Sequence, residues 1–520
     1  MRCIMEPLLL CTAAWLPLAA KAQEIVVRPY VQPGAAGARS STDVRVLHWF
    51  TDQKPGEFVV EYQLPKSTWR AVPSTRLALN FAAAKPAKEA QPKDGDAKDK
   101  VEPKKDAPKK DEPKTDEPKE PKVALPPERE QHYFKYTAHL SDLPLNAEVS
   151  YRVKLGDKII REASFRSNAS ADQAVRCVLV GDMAQGRPYQ HGIAYQISKQ
   201  NPEFLIALGD IVYPTGRVNQ YMHFFWGTYN NLDEADPKVG APLMASVPFY
   251  PVLGNHDIGA KLSKVPDALG TYYFFSPPKN GPGEGAWVTP LDGDEPANAK
   301  FRAANKDSYP YIDVYSFDNG PAHFVVLNVN PKMNLADPTF RKWLIDDLRN
   351  AKDRWKIVCF HMPGFQSSIK HYAEQQARPL SPIFQEAGVS LTFAGHVHNY
   401  QRSVPLRFEP DAPADKKGKK GQVDGKFALD KVFDGVKNTK PQGVIHMVAG
   451  GGGASLYGPG LDETKDVLQK KFAGNYADFT AKMVVDRHSF TVLDCTPQRL
   501  ELRALAANGD ELDRIVITKK

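Results

Sequence analysis

Five short motifs, each following an apolar run, carry the side chains that could do chemistry in this chain. They are Gly181-Asp182, Gly209-Asp210-Ile211-Val212-Tyr213, Gly254-Asn255-His256-Asp257, Phe360-His361 and Gly395-His396-Val397-His398. Oxygen and nitrogen ligands that end buried strands collect at the carboxyl edge of an open sheet. Taken together, the five motifs predict a site for two metal ions.

Taken singly, these motifs have ordinary structural interpretations. A lone Gly-Asp is usually a helix cap or a turn, a lone tyrosine a packed aromatic, and a lone Gly-Asn-His a turn with a hydrogen-bonded histidine. Two Gly-Asp motifs, at Asp182 and Asp210, followed in order by three further blocks reverse that preference. The metal site is therefore the better interpretation of the set.

The donor types indicate which ions would fit. The phenolate of Tyr213 is a hard anionic donor that suits trivalent iron better than zinc or magnesium. Asn255 offers a neutral amide oxygen to a metal, which leaves its neighbour His256 to support a ligand or to meet the substrate. Imidazole nitrogens, which bind divalent or trivalent metals, come from His361, His396 and His398.

Such a donor set favours hydrolysis of a phosphate ester. Two ions about 3.5–4 Å apart that share a carboxylate lower the pKa of a bound water, hold the phosphoryl oxygens and neutralise the charge that develops there. The protein then needs to supply only a proton donor.

The elements that must position these motifs alternate between buried strands and helices from about residue 174 to the end of the chain. Apolar runs predict strands at Val178 to Val180, Phe204 to Leu208, Phe324 to Leu327, Ile357 to Phe360 and Leu391 to Ala394. The helical spacing of Phe340, Trp343, Leu344 and Leu348 predicts a helix between two of them. The fold class of residues 174–520 is therefore α/β, with sheets flanked by helices.

A small all-β sandwich is predicted ahead of this region, over residues 23–168. Phe58, Val60, Tyr62 and Leu64 alternate with polar residues, and the run from Val149 to Leu155 repeats the two-residue period of half-buried strands. Residues 82–127 interrupt this pattern with repeats such as Glu112-Pro113-Lys114. Because that insertion has too few apolar side chains to offset its ordering entropy, we expect it to be disordered.

Charge gives little indication of a macromolecular partner. The formal net charge is +7, and the Lys-rich insertion carries 12 lysines against 11 aspartates and glutamates, which favours a solvated segment of mixed sign over a basic patch on a folded surface. No specific nucleic-acid partner is expected. A weak contact between the Lys-rich insertion and an anionic cell surface is less favoured than an inert linker.

A second charged stretch, residues 411–439, is predicted to be a surface loop.

The first 22 residues have the pattern of a secretory signal. Arg2 precedes an apolar stretch from Pro7 to Ala20, and Ala20-Lys21-Ala22 offers a cleavage site before Gln23. The stretch is too short to span a bilayer, and no transmembrane segment is predicted elsewhere. Cys177, Cys359 and Cys495 would remain, an odd and sparse set that does not make a disulfide framework. A secreted or periplasmic protein is expected.

With these motifs the chain resembles the purple acid phosphatases, a branch of the calcineurin-like metallophosphoesterases. All five motifs match, as do the run from Pro248 to Leu253 before Gly254 and the sequence Asn399-Tyr400-Gln401-Arg402 after the last histidine. The resemblance implies a four-layer metallophosphoesterase β-sandwich flanked by helices. The N-terminal sandwich looks like the fibronectin type III-like domain that precedes many of these enzymes.

The resemblance also implies specific roles for the site residues. Asp182, Tyr213 and His398 would bind ferric iron, Asn255, His361 and His396 would bind zinc, manganese or ferrous iron, and Asp210 would bridge the two ions. His256, oriented by Asp257, would be the proton donor. His371 would assist, since it lies ten positions beyond His361, where plant relatives carry a supporting histidine.

The leading hypothesis is an exported acid phosphatase that hydrolyses phosphomonoesters, small-molecule substrates, by attack of a metal-bound hydroxide. A second hypothesis keeps the site and changes the substrate to a phosphodiester or a nucleotide. A third, from a different class, is a surface-binding protein that has kept the fold without turnover. It is less favoured because none of the proposed ligands is missing.

Overall fold

The computed structural model describes residues 24–34, 41–52, 54–84, 123–412 and 421–519. The predicted signal segment, residues 1–22, lies outside the described residues. So do residues 85–122 of the predicted insertion and residues 413–420 of the predicted charged loop. None of the helices within the described ranges combines the length and the apolar character that a membrane span requires.

An all-β region opens the described chain. Its strands are β1 (Ile25–Gln32), β2 (Thr42–Thr51), β3 (Phe58–Gln63), β4 (Arg70–Val72), β5 (Ser74–Phe81), β6 (Gln131–Pro144), β7 (Glu148–Leu155) and β8 (Lys158–Arg166). They form two antiparallel four-stranded sheets, ordered β1-β2-β6-β5 and β4-β3-β7-β8. Alternate side chains such as Trp49, Val60 and Tyr151 are buried in one apolar cluster, as the two-residue period predicted.

The sandwich also packs against the rest of the chain. Val27, Tyr30 and Phe50 belong to the same buried apolar cluster as Phe274, which lies far along the sequence. The Tyr30 hydroxyl donates a hydrogen bond to the Phe274 carbonyl over 2.7 Å. The two regions therefore share an apolar core.

The strands of the second region are β9 (Val175–Val180), β10 (Phe204–Ala207), β11 (Phe249–Pro251), β12 (Val314–Asn319), β13 (Ala322–Leu327), β14 (Trp355–Cys359), β15 (Leu391–Ala394), β16 (Tyr400–Ser403), β17 (Leu406–Pro410), β18 (Gly425–Leu429), β19 (Ile445–Ala449), β20 (Thr480–Val484), β21 (Ser489–Cys495), β22 (Arg499–Ala506) and β23 (Glu511–Thr518). The helices are α1 (Tyr189–Ser198), α2 (Val218–Gln220), α3 (Trp226–Tyr229), α4 (Gly270–Phe274), α5 (Glu295–Ala304), α6 (Pro338–Asn350), α7 (Ser381–Ala387) and α8 (Leu461–Lys471). A π-helical turn, Tyr221–Phe225, joins α2 to α3, and two 3-10 turns span Leu243–Ala245 and Arg378–Leu380.

Two mixed sheets form the centre of this region. The first has the order β11-β10-β9-β21-β22-β23, with β9, β10 and β11 parallel. The second has the order β12-β13-β14-β15-β19-β16-β20, with β13, β14, β15 and β19 parallel. The strands predicted from apolar runs are therefore confirmed.

The two sheets pack face to face, with helices outside them. Leu179 of the first sheet and Ile357 of the second lie in one buried cluster. Their strand neighbours, Val178 and Val358, point to the opposite faces and join a cluster that contains the helix residue Leu344. Because successive strand residues face opposite sides of a sheet, each buried run packs against the other sheet on one side and against helices on the other. The α/β fold class, with an all-β region before it, is confirmed.

Helix α6 matches the helix predicted from the spacing of its apolar residues. Phe340, Leu344 and Leu348 are buried on one face. Asp337 caps the helix by accepting a hydrogen bond from the Thr339 N–H over 2.8 Å, and Pro338 occupies the first turn. Both features favour a helix start at this point.

The prediction of a loop across residues 411–439 is wrong for Gly425–Leu429. That segment is strand β18, which pairs antiparallel with β17. The ring of Phe427 packs against that of Phe408, with centroids 4.9 Å apart. Two apolar side chains at alternate positions, Phe427 and Leu429, are enough to cover the neighbouring strand despite the charged sequence around them.

Candidate metal centre

The candidate ligands come from both sheets. Asp182, Asp210 and Asn255 follow β9, β10 and β11 of the first sheet, and His361 and His396 follow β14 and β15 of the second. The parallel strands of each sheet end at the same edge, so the loops that leave them converge there. The site is thus built where two packed sheets present their carboxyl ends together.

Three of these residues have left-handed backbone conformations. The φ angles are 59° for Asp182, 50° for Asp210 and 68° for His396. Such angles are uncommon for residues other than glycine and cost free energy, so they persist where surrounding contacts enforce them. They let each chain segment turn sharply at the strand end and direct its side chain into the cluster.

Four polar groups meet on one side of the centre. The Tyr213 hydroxyl lies 2.9 Å from Asp182 Oδ1, 3.3 Å from Asp210 Oδ2 and 3.0 Å from His398 Nε2. His398 Nε2 lies 3.2 Å from Asp182 Oδ1. Burial and then the charges of Asp182 and Asp210 hold the pKa of Tyr213 well above its ordinary value. A cation among these atoms would offset both the burial of a Tyr213 phenolate and its repulsion by the two carboxylates. The donor set therefore fits a highly charged hard metal ion.

A second group shares Asp210 with the first. His361 Nε2 lies 3.2 Å from Asn255 Oδ1 and 3.3 Å from Asp210 Oδ2. Ligand atoms of Asp210, His361 and His396 all lie within 4.8 Å of one another. Asp210 therefore lies between the two groups, in the place that a bridging carboxylate would occupy.

Backbone carbonyls fix the ring orientation of two of the histidines. His361 Nδ1 lies 2.8 Å from the Leu208 carbonyl, and His398 Nδ1 lies 2.6 Å from the Ser455 carbonyl. A carbonyl can only accept, so Nδ1 carries the hydrogen in both rings and each Nε2 presents a lone pair to the cluster. Both rings are therefore prepared to bind a metal through Nε2.

His256 lies beside the cluster and is partly open to solvent. Its backbone N–H donates to Asp210 Oδ1 over 2.8 Å, and its Nε2 is 3.8 Å from Asp210 Oδ2. The side chain is 37% exposed. His256 Nδ1 lies 2.5 Å from the Pro214 carbonyl. Because a carbonyl only accepts, Nδ1 carries the hydrogen of the neutral ring and Nε2 carries the lone pair.

The expectation that Asp257 orients His256 is wrong. The buried carboxylate of Asp257 instead accepts backbone N–H groups from Ile211 over 3.1 Å and from Gly254 over 2.8 Å. Within the described residues, no hydrogen bond joins it to the His256 ring. Burial, with the nearby charge of Asp210, raises the pKa of Asp257 to about 7. Asp257 holds together the two loops that carry Asp210 and Asn255.

Gly254 is required by the close approach of these loops. A Cβ atom built on Gly254 would overlap Oδ1 and the backbone N of Asp210. Only a residue without a side chain lets the loop after β11 lie against that carboxylate.

The structure adds two residues that the sequence motifs did not indicate. Glu374 contacts His371 Nδ1 and His396 Nε2, each over 2.8 Å. The ring of Tyr457 stacks on that of His398, with centroids 4.0 Å apart. Glu374 lies three positions after His371, a spacing that could have indicated a pair. Tyr457 carried no such signal.

The chain has clear relatives among known proteins. Residues 175–400 match the family model of calcineurin-like phosphoesterases. Purple acid phosphatase 1 of Ipomoea batatas is 25% identical over 285 residues, which cover 52% of this chain and 53% of that protein. The Fe(3+)-Zn(2+) purple acid phosphatase 12 of Arabidopsis thaliana is 24% identical over 232 residues, covering 43% and 42% of the two chains. The chain thus spans about half of the length of these curated relatives, or less.

A solved structure supports the same relationship at the level of the fold. The purple acid phosphatase from yellow lupin (Lupinus luteus) seeds superposes with a TM-score of 0.58 at 17% identity. The superposition covers 94% of this chain and 74% of the lupin chain. The chain therefore contains a calcineurin-like phosphoesterase domain and is a homologue of the purple acid phosphatases.

Proposed function

We propose that this protein is an exported acid phosphatase with a dinuclear metal centre that hydrolyses phosphomonoesters. The observation that carries the proposal is the convergence of seven donor side chains from two sheets, one of which, the carboxylate of Asp210, is shared by the two groups of ligands. Its Oδ2 atom lies 3.3 Å from the Tyr213 hydroxyl and 3.3 Å from His361 Nε2. Phosphate-ester hydrolysis is the chemistry that best uses such a pair of adjoining sites.

The donors divide by chemistry into two sets. Ferric iron would be held by Asp182, Tyr213 and His398, a set with two anionic oxygens. A divalent ion (zinc, manganese or ferrous iron) would be held by Asn255, His361 and His396. Asp210 would bridge them. When bound, such a pair supplies an activated nucleophile and charge neutralisation at the phosphoryl group.

The chain itself supplies the proton. Because the Pro214 carbonyl holds the hydrogen of His256 on Nδ1, Nε2 is the nitrogen that gains and loses the exchangeable proton. The ring is 37% exposed and lies against the Tyr213 ring, with centroids 4.4 Å apart. His256 can therefore meet a substrate at the open side of the centre and donate a proton to the leaving group.

The iron assignment has an optical test. Purified protein should be coloured by a charge-transfer band from a tyrosinate bound to ferric iron, and Tyr213→Phe should remove that band. Tyr195→Phe, on α1 and away from the centre, is the matched control and should keep the colour. An active enzyme that is colourless and free of iron would contradict the assignment.

The substrate class has a kinetic test. A mono-aryl and a bis-aryl phosphate, assayed with the same leaving group, separate a monoesterase from the alternative phosphodiesterase. The proposal expects a preference for the monoester. Faster turnover of the bis-aryl phosphate would favour the alternative.

The domain organisation belongs to the same proposal. It comprises a signal segment over residues 1–22, a fibronectin type III-like domain over residues 23–168 and a catalytic domain over residues 174–520. Amino-terminal sequencing of the exported protein should begin at Gln23.

Strand pairing of Phe81 with Gln131 indicates that the insertion connects two adjacent strands. Deletion of residues 85–122 should therefore leave activity unchanged.

A further inference from the structure

A nearly buried arginine joins the all-β region to the backbone that follows Tyr213. Arg217 Nη1 donates to Glu128 Oε1 over 2.5 Å, and Arg217 Nη2 donates to Glu128 Oε2 over 2.9 Å. The same guanidinium contacts Asp267 Oδ1 through Nε over 2.8 Å and through Nη2 over 2.7 Å. Glu128 precedes β6 of the all-β region, whereas Arg217 and Asp267 belong to the second region. One arginine thus bridges carboxylates from both regions.

We propose that Glu128 is a positioning residue for the candidate metal centre, which acts through Arg217 on the backbone of residues 213–217, the Tyr213 loop. The all-β region would then take part in catalysis without touching a metal ion or the substrate. This inference rests on the phosphatase activity proposed above.

The Tyr213 loop is a short connection between the site and the arginine. It begins at Tyr213, in the cluster of candidate ligands, and reaches Arg217 four positions later. Within it, the Pro214 carbonyl accepts a hydrogen bond from His256 Nδ1 over 2.5 Å. The loop therefore contacts the proposed proton donor as well as carrying a proposed ligand. A displacement of Arg217 would be felt at both.

The Tyr213 loop also packs closely on the segment that carries His256. The Thr215 carbonyl accepts a hydrogen bond from the Ala260 N–H over 3.0 Å. Gly216 has a φ of 70°, and a Cβ atom built there would overlap the backbone of Asp257. Because the two segments touch through backbone atoms, a displacement of the first displaces the second.

The other contacts around Arg217 would survive a change of Glu128. The Asp267 carbonyl accepts from the Val218 N–H over 2.9 Å, and Asp267 Oδ2 accepts from Gln131 Nε2 over 3.3 Å. Asp267 would therefore still pair with the guanidinium and still contact both regions. Loss of Glu128 should loosen the Tyr213 loop without unfolding its surroundings.

The pairing of Glu128 with Arg217 fixes a direction as well as a charge. A two-point contact between a guanidinium and a carboxylate holds the two planes together, which a single hydrogen bond does not. The hydrogen bonds from Arg217 lower the pKa of Glu128 below its ordinary value. The side chains of Arg217 and Glu128 are 10% and 40% exposed, so a substitution of Glu128 leaves no buried cavity.

The kinetic test uses the full chain loaded with metal and a mono-aryl phosphate. Glu128→Gln, which keeps the size and removes the two-point pairing, should lower kcat per bound metal pair by about 10- to 100-fold. KM should change little, because the proposed metal pair would still hold the phosphoryl group. Glu128→Asp keeps the charge on a shorter side chain, should lie between the two, and serves if Glu128→Gln folds poorly. A merely structural contact would lower the melting temperature and leave kcat of the folded fraction unchanged.

A second measurement needs neither metal nor activity. In metal-free protein, hydrogen exchange reports how often the backbone hydrogen bonds of the Tyr213 loop open. Glu128→Gln should speed exchange at the N–H groups of Thr215 and Ala260 by about 10-fold, on the order of the change that weakened local packing produces. Exchange in strand β9, in the centre of the first sheet, should be unchanged.

The matched control is Glu130→Gln, two positions along the same segment. Glu130 is 70% exposed and lies 3.5 Å from His132. The control should keep wild-type kcat and wild-type exchange. Equal effects of the two substitutions would overturn the inference, since the pairing with Arg217 would then be irrelevant. With an active wild type, slower turnover without faster exchange in Glu128→Gln, or the reverse, would overturn it as well.

The two proposals fail in different ways. A metal-loaded wild type that hydrolyses no phosphate ester would contradict the proposed activity, and hydrogen exchange would still decide whether Glu128 positions the Tyr213 loop. An active wild type together with normal kcat and normal exchange in Glu128→Gln would contradict only the role of Glu128.

Discussion

The backbone N–H of His396 donates a hydrogen bond to Oδ2 of Asp182 over 2.8 Å, although the two residues lie 214 positions apart in the chain. The other oxygen of the same carboxylate, Oδ1, lies 2.9 Å from the Tyr213 hydroxyl. Asp182 therefore has two functions. One oxygen anchors the loop from the second sheet, and the other faces the proposed ferric site.

Two substitutions of Asp182 should separate these functions. Asp182→Asn keeps an oxygen that can accept from His396 but loses the charge, so we expect loss of the ferric ion with little change in the stability of the metal-free protein. Asp182→Ala also leaves the buried His396 N–H without a partner, which should cost a further 1–3 kcal/mol, roughly. Denaturant unfolding in chelator, together with metal analysis, checks both. Equal stability of the two variants would contradict the anchoring function.

His256→Ala should reduce kcat by about 100- to 10,000-fold while metal content stays at the wild-type value, because the ring donates a proton and is not a proposed ligand. The comparison is His132→Ala. That histidine is 38% exposed, against 37% for His256, and lies in the all-β region. It should leave kcat unchanged. If His256→Ala instead loses one ion, the residue is a ligand and the assignment fails.

Gly254→Ala should destabilise the protein by about 1–3 kcal/mol and weaken metal binding, since the added methyl group would overlap Asp210. Gly227→Ala is the matched change, because a Cβ there meets no atom within 4 Å. It should be neutral or slightly stabilising. Thermal unfolding of both variants decides the matter, and similar melting temperatures would show that the loops are free to move apart.

A buried histidine far from the metal centre gives a pH-dependent prediction. His323 Nδ1 donates to Asp318 over 2.6 Å and His323 Nε2 donates to Asp347 over 2.9 Å. Burial lowers the pKa of His323, but these two hydrogen bonds outweigh it, so the pKa lies above its ordinary value. The stabilisation should be complete below about pH 6.5, the value in the unfolded chain, and should be lost as pH rises through the raised pKa.

His323→Gln should therefore cost about 3 kcal/mol at about pH 6 and distinctly less in alkaline solution. Urea unfolding in chelator at both pH values tests this without a contribution from bound metal. His132→Gln, at an exposed position, should show no such difference. A cost for His323→Gln that is the same at both pH values would mean that the buried ring is neutral.

The sequence was informative wherever an apolar strand ended in a polar ligand. Asp182, Asp210 and His361 could be predicted to converge because each follows a buried parallel strand. The carboxyl ends of such strands lie at the same edge of a sheet. The left-handed angle at His396 could not be predicted, since it depends on contacts made by other segments. The predicted helix over Phe340 to Leu348 succeeded for a similar reason, because its periodicity is local.

Contacts between segments account for what the sequence did not predict. Sequence adjacency pairs Asp257 with His256, but the Asp257 carboxylate accepts backbone N–H groups from two loops instead. The sequence motifs do not indicate Glu374, because its partner His396 lies 22 residues away and shares no motif with it. Strand β18 was hidden by flanking charge, although Phe427 and Leu429 had the period of a strand.

The placement of the ligands on both sheets has a consequence for how long the folded molecule lasts. Asp182 and Asn255 extend from one layer and His361 and His396 from the other, so a pair of bound ions would fasten the two layers at the edge where their strands stop. Ions that bind the folded state but not the unfolded state lower the unfolded fraction of the protein and slow its unfolding. Loss of the metal ions would then shorten the lifetime of the folded protein as well as abolish the proposed activity.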